Sequence, residues 1–271
     1  MSDVTVVGGN GFIGSALVGQ LTSLGFKVFV PTREYNYLCN RSLGTLIYCA
    51  GHGDCKGNPI KVLHSNLVFL SYLLERANFE KLIYISSARI YVNQLNSAED
   101  ADVSISSYDD RKLFNLTKLT AEELCLLSGL NICIVRPSNV YGLAVDSNLF
   151  LPSIIRDAIN HKLVNMYVSP EYEKDYVSVL DVVDIVTKLT LKQNFEDKIY
   201  NIASGQNVSA GSIAQILQQE TGCDIVWNSS QAKETFPIIE IDKLKKQFCF
   251  KPRNVLDDLQ NMINDFKRFY R

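Results

Sequence analysis

The chain has 271 residues, 46% of them hydrophobic, enough to bury a core as one large domain or as a domain with a smaller lobe. Its 27 basic and 29 acidic residues are spread along the sequence and give a formal net charge of -2, so nothing electrostatic points to nucleic acid or a membrane surface as partner, and small-molecule chemistry is favoured. The N-terminal apolar run is broken by glycine before a signal sequence or membrane span could be completed, so a cytoplasmic location is expected, and the seven cysteines lack close metal-ligand pairs and read as free thiols.

In chain order, β-rich runs at 4–7, 27–30, 45–49, 81–86 and 131–136 alternate with helical spacing over 13–23, 59–78 and 109–127. That alternation predicts an α/β fold, a doubly wound parallel sheet covered on both faces. Only 34–44 separates the second and third strands, too little for a helical crossover plus another strand, so the sheet is trimmed there. Past residue 142 come helical stretches at 152–161, 181–192, 209–221 and 255–270 and a short strand at 199–202. They read as a small C-terminal substrate-binding lobe. The expected division is 1–145 for a dinucleotide-binding part and 146–271 for the smaller lobe, interleaved with it in one folded body.

Gly8, Gly11 and Gly14 follow the first strand directly and open the first helix, the context in which a glycine pattern reads as a pyrophosphate turn. Glycine permits the sharp turn and close backbone approach, and the helix start at Phe12 and Ile13 offers free N–H groups and partial positive charge. Ala50, at the end of the third strand, belongs to the same expected cofactor site. A tight strand-to-helix turn without ligand uses glycines as well. At the end of the second strand stands Arg33, where an acidic residue would bond the ribose of NAD and a basic one accommodates the 2′-phosphate of NADP. NADP is therefore the preferred cofactor and NAD the alternative; an exposed loop arginine that contacts nothing is the other reading of Arg33.

With V-V-G-G-N-G-F-I-G at 6–14, the strings I-Y-C-A-G (47–51), Y-I-S-S-A-R-I-Y (84–91), T-K-L-T-A-E-E-L (117–124) and R-P-S-N-V-Y-G (136–142) follow in order. Together with K-D-Y-V-S-V-L-D-V-V (174–183), I-Y-N-I-A-S-G (199–205) and F-K-P-R (250–253), they make the chain resemble the extended short-chain dehydrogenase/reductases. These are nucleotide-sugar epimerases, dehydratases and reductases with a Rossmann sheet and a small substrate lobe. The resemblance implies a nucleotide-sugar substrate, and dimers formed through helices are common among relatives, so a homodimer is expected. It puts Ser87 at the position of the catalytic Ser or Thr and Lys118 at that of the lysine holding the nicotinamide ribose, although a lone helical lysine is more often solvated.

The family's tyrosine, four residues before that lysine, is here Phe114, which has no exchangeable proton. A shifted register would pair Tyr108 with Lys112, but Tyr108 falls in a segment with Ser106, Ser107, Asp109 and Asp110 that reads as a helix start. Tyr108 swinging in, Tyr91 or a substrate-bound water are the other proton carriers open to the sequence. Ala88 and Arg89 occupy the positions of the dehydratases' acidic pair, which disfavours dehydration and leaves epimerisation or keto-sugar reduction. Asn139 and Lys174 are expected at the substrate, with fixed loop and solvent-facing roles as alternatives. A non-catalytic sensor or assembly protein of the same fold is the rival reading.

Overall fold

A computed structural model describes residues 3–32, 36–147, 149–228 and 234–270. Its first half runs β1 (Asp3–Val7), α1 (Phe12–Ser23), β2 (Lys27–Phe29), a 3-10 turn (Asn36–Asn40), β3 (Thr45–Tyr48), α2 (Pro59–Leu63), a π turn (His64–Val68), α3 (Phe69–Arg76), β4 (Lys81–Ile85), a 3-10 turn (Ala88–Tyr91), α4 (Lys112–Leu127) and β5 (Ile132–Pro137). Then come β6 (Asn139–Tyr141), α5 (Phe150–Asn160), β7 (Leu163–Met166), β8 (Glu173–Ser178), α6 (Val179–Leu191), β9 (Ile199–Ile202), β10 (Asn207–Ser209), α7 (Ala210–Thr221), β11 (Asp224–Trp227), α8 (Asp242–Phe248) and α9 (Val255–Phe269). No helix among the described residues is long and apolar enough to cross a membrane.

The chain divides into two compact units, the first made of Met1–Ile90, Glu99–Pro137 and Val182–Ile202. It carries a six-stranded sheet in the order β2-β1-β3-β4-β5-β9, with every neighbouring pair parallel. β3, β4 and β5 are buried along their whole length, as strands covered on both faces must be, and read as nearly unbroken apolar runs. Tyr48, Leu70, Leu73, Tyr84, Ala121 and Ile134 pack together in one core cluster against the sheet. The expected α/β doubly wound sheet is therefore the fold found.

Two details differ from the sequence reading. Residues 181–192 and 199–202 were expected in the lobe, yet Val182–Ile202 falls in the first unit, where β9 pairs with β5 from Ile134↔Ile199 to Pro137↔Ile202. A short apolar strand there covers the open ladder of β5, a pairing local pattern does not encode. The single helix expected over 59–78 is instead interrupted by the π turn, one of whose residues, Asn66, is completely buried.

The second unit comprises Tyr91–Ala98, Ser138–Asp181 and Ala203–Arg271. Its sheets, β10-β8-β6 and β11-β7, were not legible as strands because they are three to six residues long, mixed in exposure and, in β8, charged. Its helices end where the sequence indicates: Ser209 accepts the Ser212 N–H at the start of α7, Gly222 closes that helix at φ 66, and Asn254 caps α9 through the Leu256 N–H. Ile155, Met166, Leu217, Leu259, Ile263 and Phe266 form the core of this unit.

Asp175 of β8 is its polar hub. Its carboxylate accepts from Ser138 Oγ at 2.5 Å, Ser204 N–H and Oγ at 2.9 Å each, Gly205 N–H at 2.7 Å and Gln206 N–H at 3.2 Å. Asp175→Ala strands these donors in a buried place and should cost at least about 1–3 kcal/mol in denaturant unfolding. An unchanged midpoint and slope would refute this role.

Candidate active site

Strand order reverses between β2-β1 and β1-β3, which makes the carboxyl end of β1 and β3 the switch point where open α/β sheets bind ligands. The glycine turn sits there. Gly8 has φ 81, and a Cβ on it would stand 2.6 Å from the Ala50 backbone N, so only glycine lets the two strand ends meet. A Cβ on Gly14 would come within 2.2 Å of the Gly8 carbonyl oxygen, while Gly11 donates to that oxygen at 2.9 Å. α1 starts at Phe12 from Gly11 with no side-chain cap and no acidic residue in its first turn, so no side chain competes with an anion for its leading N–H groups. These features fit a dinucleotide pyrophosphate.

At the carboxyl end of β4, Ser87 is half-buried and its Oγ accepts the Arg89 N–H at 3.1 Å. Across from it α4 has an inverted pattern: Asn115, Thr117, Lys118 and Glu122 are buried, whereas Leu116, Leu124, Leu126 and Leu127 are exposed. Lys118 Nζ donates to the Ile85 carbonyl at 2.8 Å, two residues before Ser87, and lies 4.9 Å from the Tyr84 ring centroid. Burial pulls its ammonium down to about 8, against the opposing pull of Glu122. Glu122 itself accepts from Arg136 Nη2 at 2.6 Å and from Ser86 Oγ.

Phe114 is half-buried one helical turn before Lys118, with the Lys118 Nζ 6.0 Å and the Arg111 guanidinium 4.8 Å from its ring centroid. Tyr108 lies on the turn before α4 and is 94% exposed; Lys112, its partner in the shifted register, donates instead to the Ser107 carbonyl at 2.8 Å. Lys118 is therefore docked on the strand end two residues before Ser87, whereas Tyr108 stands on an exposed turn. Tyr91 is buried in the second unit, with its hydroxyl donating to the Ala98 carbonyl at 3.3 Å.

Sequence reasoning missed two polar clusters beside these residues. Asn66 accepts the His52 N–H at 2.9 Å and donates to the His52 carbonyl and to Thr117 Oγ1, which in turn donates to the Phe114 carbonyl at 2.9 Å. That chain ties the loop after β3 to the turn of α4 carrying Phe114. The second is a buried ion pair, Arg89 Nη2 to Asp109 Oδ1 at 2.9 Å, with Asn115 Nδ2 on the other Asp109 oxygen. A polar residue in a helical apolar stripe was the available signal for Asn66; Arg89 and Asp109, 20 apart, offered none.

In the second unit Asn139 Nδ2 donates to the Asp175 carbonyl at 2.8 Å, and the Lys174 ammonium lies over the rings of Tyr172 and Phe236, 4.8 and 4.9 Å from their centroids. Arg33 is outside the described residues. Near the end of β2 the described cation is Arg41, whose guanidinium stacks 4.0 Å from the Phe29 ring centroid.

The model of the NAD dependent epimerase/dehydratase family matches residues 4–203. The chain belongs to this family. Among relatives of the epimerase/dehydratase family, the GDP-L-fucose synthase of Sinorhizobium fredii (strain NBRC 101917 / NGR234) is 24% identical over 266 residues, 86% of this chain and 84% of its own length. A solved structure of MoeE5 in complex with UDP-glucuronic acid and NAD superposes with a TM-score of 0.85 at 22% identity, covering 99% of this chain and 100% of that one. RMD from Pseudomonas aeruginosa complexed with NADPH gives 0.81 at 20% identity, with 99% and 100% covered. Both share the fold, as the sequence resemblance to extended short-chain dehydrogenase/reductases implies for this epimerase/dehydratase family member.

Proposed function

We propose that the chain is a nicotinamide-dependent enzyme acting on a nucleotide-linked sugar, as an epimerase or a keto-sugar reductase. The observation that carries this reading is the docking of a buried Lys118 on the strand end that bears Ser87, in the same unit as an uncapped glycine turn. Gly8, Gly11, Phe12, Ile13 and Gly14 would hold the cofactor's pyrophosphate, Ala50 would line the same cofactor site, and Lys118 would hold the nicotinamide ribose. The bound cofactor supplies the hydride chemistry. Ser87 donates its hydroxyl proton in a hydrogen bond to the reacting sugar oxygen, and the cluster around Asn66 fixes the loop after β3 against α4. Ala88 and Arg89 follow Ser87, so no carboxylic acid stands directly after it to eliminate water from the sugar, and Arg89 is held in its ion pair with Asp109.

Arg33 favours NADP(H) over NAD(H); dissociation constants for the two should differ in that direction, and a clear preference for NAD(H) overturns the assignment. Asn139 and Lys174 contact the substrate diphosphate, an anion suited to fixed donors and cations. We also infer a homodimer, supported by the exposed leucines of α4, Leu116 at 48% and Leu127 at 74%; light scattering that returns the monomer mass at micromolar concentration excludes it. The family relationship is the support for a cytoplasmic location.

Purified protein given each cofactor and a panel of nucleotide sugars and keto-sugars should oxidise or reduce the cofactor or exchange isomers. Complete silence with cofactor bound refutes catalysis. One observation favours a second reading, a cofactor- or nucleotide-sugar-binding sensor or assembly protein: Phe114 brings no exchangeable proton to the site. Ser87→Ala separates the two, since it abolishes a native activity and leaves a sensor's binding intact.

A further inference from the structure

Lys118 is a cation with an unusual setting. It is 4% exposed, its hydrogen bond goes to a neutral carbonyl, and no carboxylate lies in ion-pair range among the described residues. Of the two acids on its own helix, Glu123 is exposed and the buried one, Glu122, is taken up by Arg136 and Ser86. The other titratable groups facing it come from each element packed around it. Cys49 after β3 and Cys125 on α4 have thiols that burial pushes up to about 12, and burial likewise raises the Tyr84 phenol on β4. All three stay protonated and neutral. Also near it are the apolar Phe114 ring and Gly51, where an added Cβ would sit 3.6 Å from Nζ and 3.4 Å from Asn66 Oδ1.

We propose that Lys118 is itself the acid and base of the reaction, moving the proton that Phe114 cannot carry. This rests on the hydride-transfer reading given above. In the reducing direction the sugar carbonyl carbon receives hydride from reduced nicotinamide, and the carbonyl π pair moves onto oxygen. That oxygen forms a bond to a proton from Nζ; the N–H pair stays on nitrogen, and the neutral amine is reprotonated from water. Oxidation runs the same steps backwards. A buried ammonium lacking a dedicated counter-ion populates both forms near neutral pH, the condition for efficient proton transfer. A lysine paired to a carboxylate or to a phenol would not.

The sign of the linkage gives a readout independent of turnover. The folded ammonium, at about 8, binds its proton more weakly than the ordinary 10.5, so the unfolded chain holds more protons between these values and stability rises with pH there. Wild type should gain thermal stability over that window relative to Lys118→Met, whose profile lacks this contribution. Lysine-selective NMR of the full chain, with the Lys118 signal assigned by its loss in Lys118→Met, should show titration near 8; titration at 10 or above overturns the proposal.

Lys118→Arg keeps the charge but cannot release a proton. Its turnover should fall about 10²–10⁴-fold, and the ionisation near 8 should vanish from the pH profile of activity. An activity profile unchanged in Lys118→Arg removes the role of Lys118 and leaves hydride transfer standing. Silence of wild type toward every nucleotide sugar, with cofactor bound, removes hydride transfer and this proposal with it.

Discussion

Glu122→Ala is expected to destabilise the protein by about 3–5 kcal/mol, the cost of removing one partner of a buried pair. Glu122 and Arg136 have side chains only 3% and 6% exposed, with contacts of 2.6 Å from Nη2 and 3.1 Å from Nε to each carboxylate oxygen. Removing the carboxylate leaves a guanidinium in the sheet–helix interior, with Nη1 still donating to the Glu99 carbonyl at 3.1 Å. Ser86 loses its acceptor as well. In thermal unfolding the midpoint should fall by roughly 6–20 °C. Glu123→Ala is the matched control: the neighbouring residue is exposed, and its replacement should stay within about 0.5 kcal/mol of wild type. Equal midpoints for the two variants would show that Arg136 does not depend on Glu122.

Gly14→Ala should weaken nicotinamide cofactor binding by about 5- to 150-fold, which is about 1–3 kcal/mol of overpacking expressed at the pyrophosphate turn. The new Cβ would meet the Gly8 carbonyl oxygen at 2.2 Å and the Gly9 Cα at 2.8 Å, both backbone atoms that no rotamer change can move. Either the start of α1 or the turn after β1 must shift, and both present N–H groups to the anion. The same helix contains its own control. A Cβ on Gly19 meets nothing within 4 Å, so Gly19→Ala should leave binding unchanged and stabilise the helix by about 1 kcal/mol. Calorimetric titration of the three proteins measures the difference; equal affinities would remove the glycine turn from the cofactor site.

The parallel sheet was readable because the alternation of short apolar runs with helical spacing is local, and so was the glycine turn, whose neighbours in sequence are its neighbours in space. β9 was misplaced because its partner β5 is more than 60 residues away and nothing in I-Y-N-I names that edge. The small strands of the second unit carry too few residues for a period to emerge.

At the site, Ser87 and Lys118 came from ordered motifs, whereas their surroundings did not. α4 buries Asn115, Thr117, Lys118 and Glu122 and turns leucines outward, so the usual rule of apolar-in fails where function requires polar groups inside. The same inversion marks α4 as more than packing. The Arg89–Asp109 pair and the Asn66 clamp depend on tertiary closure and have no sequence period of their own. Phe114 was plain in sequence; what the structure adds is the setting of Lys118, a buried amine with a carbonyl rather than a carboxylate for partner.

Isotope transfer tests hydride exchange with a nucleotide sugar most directly. The protein is incubated with reduced nicotinamide cofactor deuterated at its transferable position and a panel of nucleotide-linked keto-sugars, and, in the other direction, with oxidised cofactor and sugars deuterated at ring carbons. Mass spectrometry should find the label carried between sugar and cofactor for at least one pair, and lost in Ser87→Ala. Label that remains wholly in the starting molecule for every pair, with no isomer of any sugar formed and cofactor binding saturated, would contradict the account.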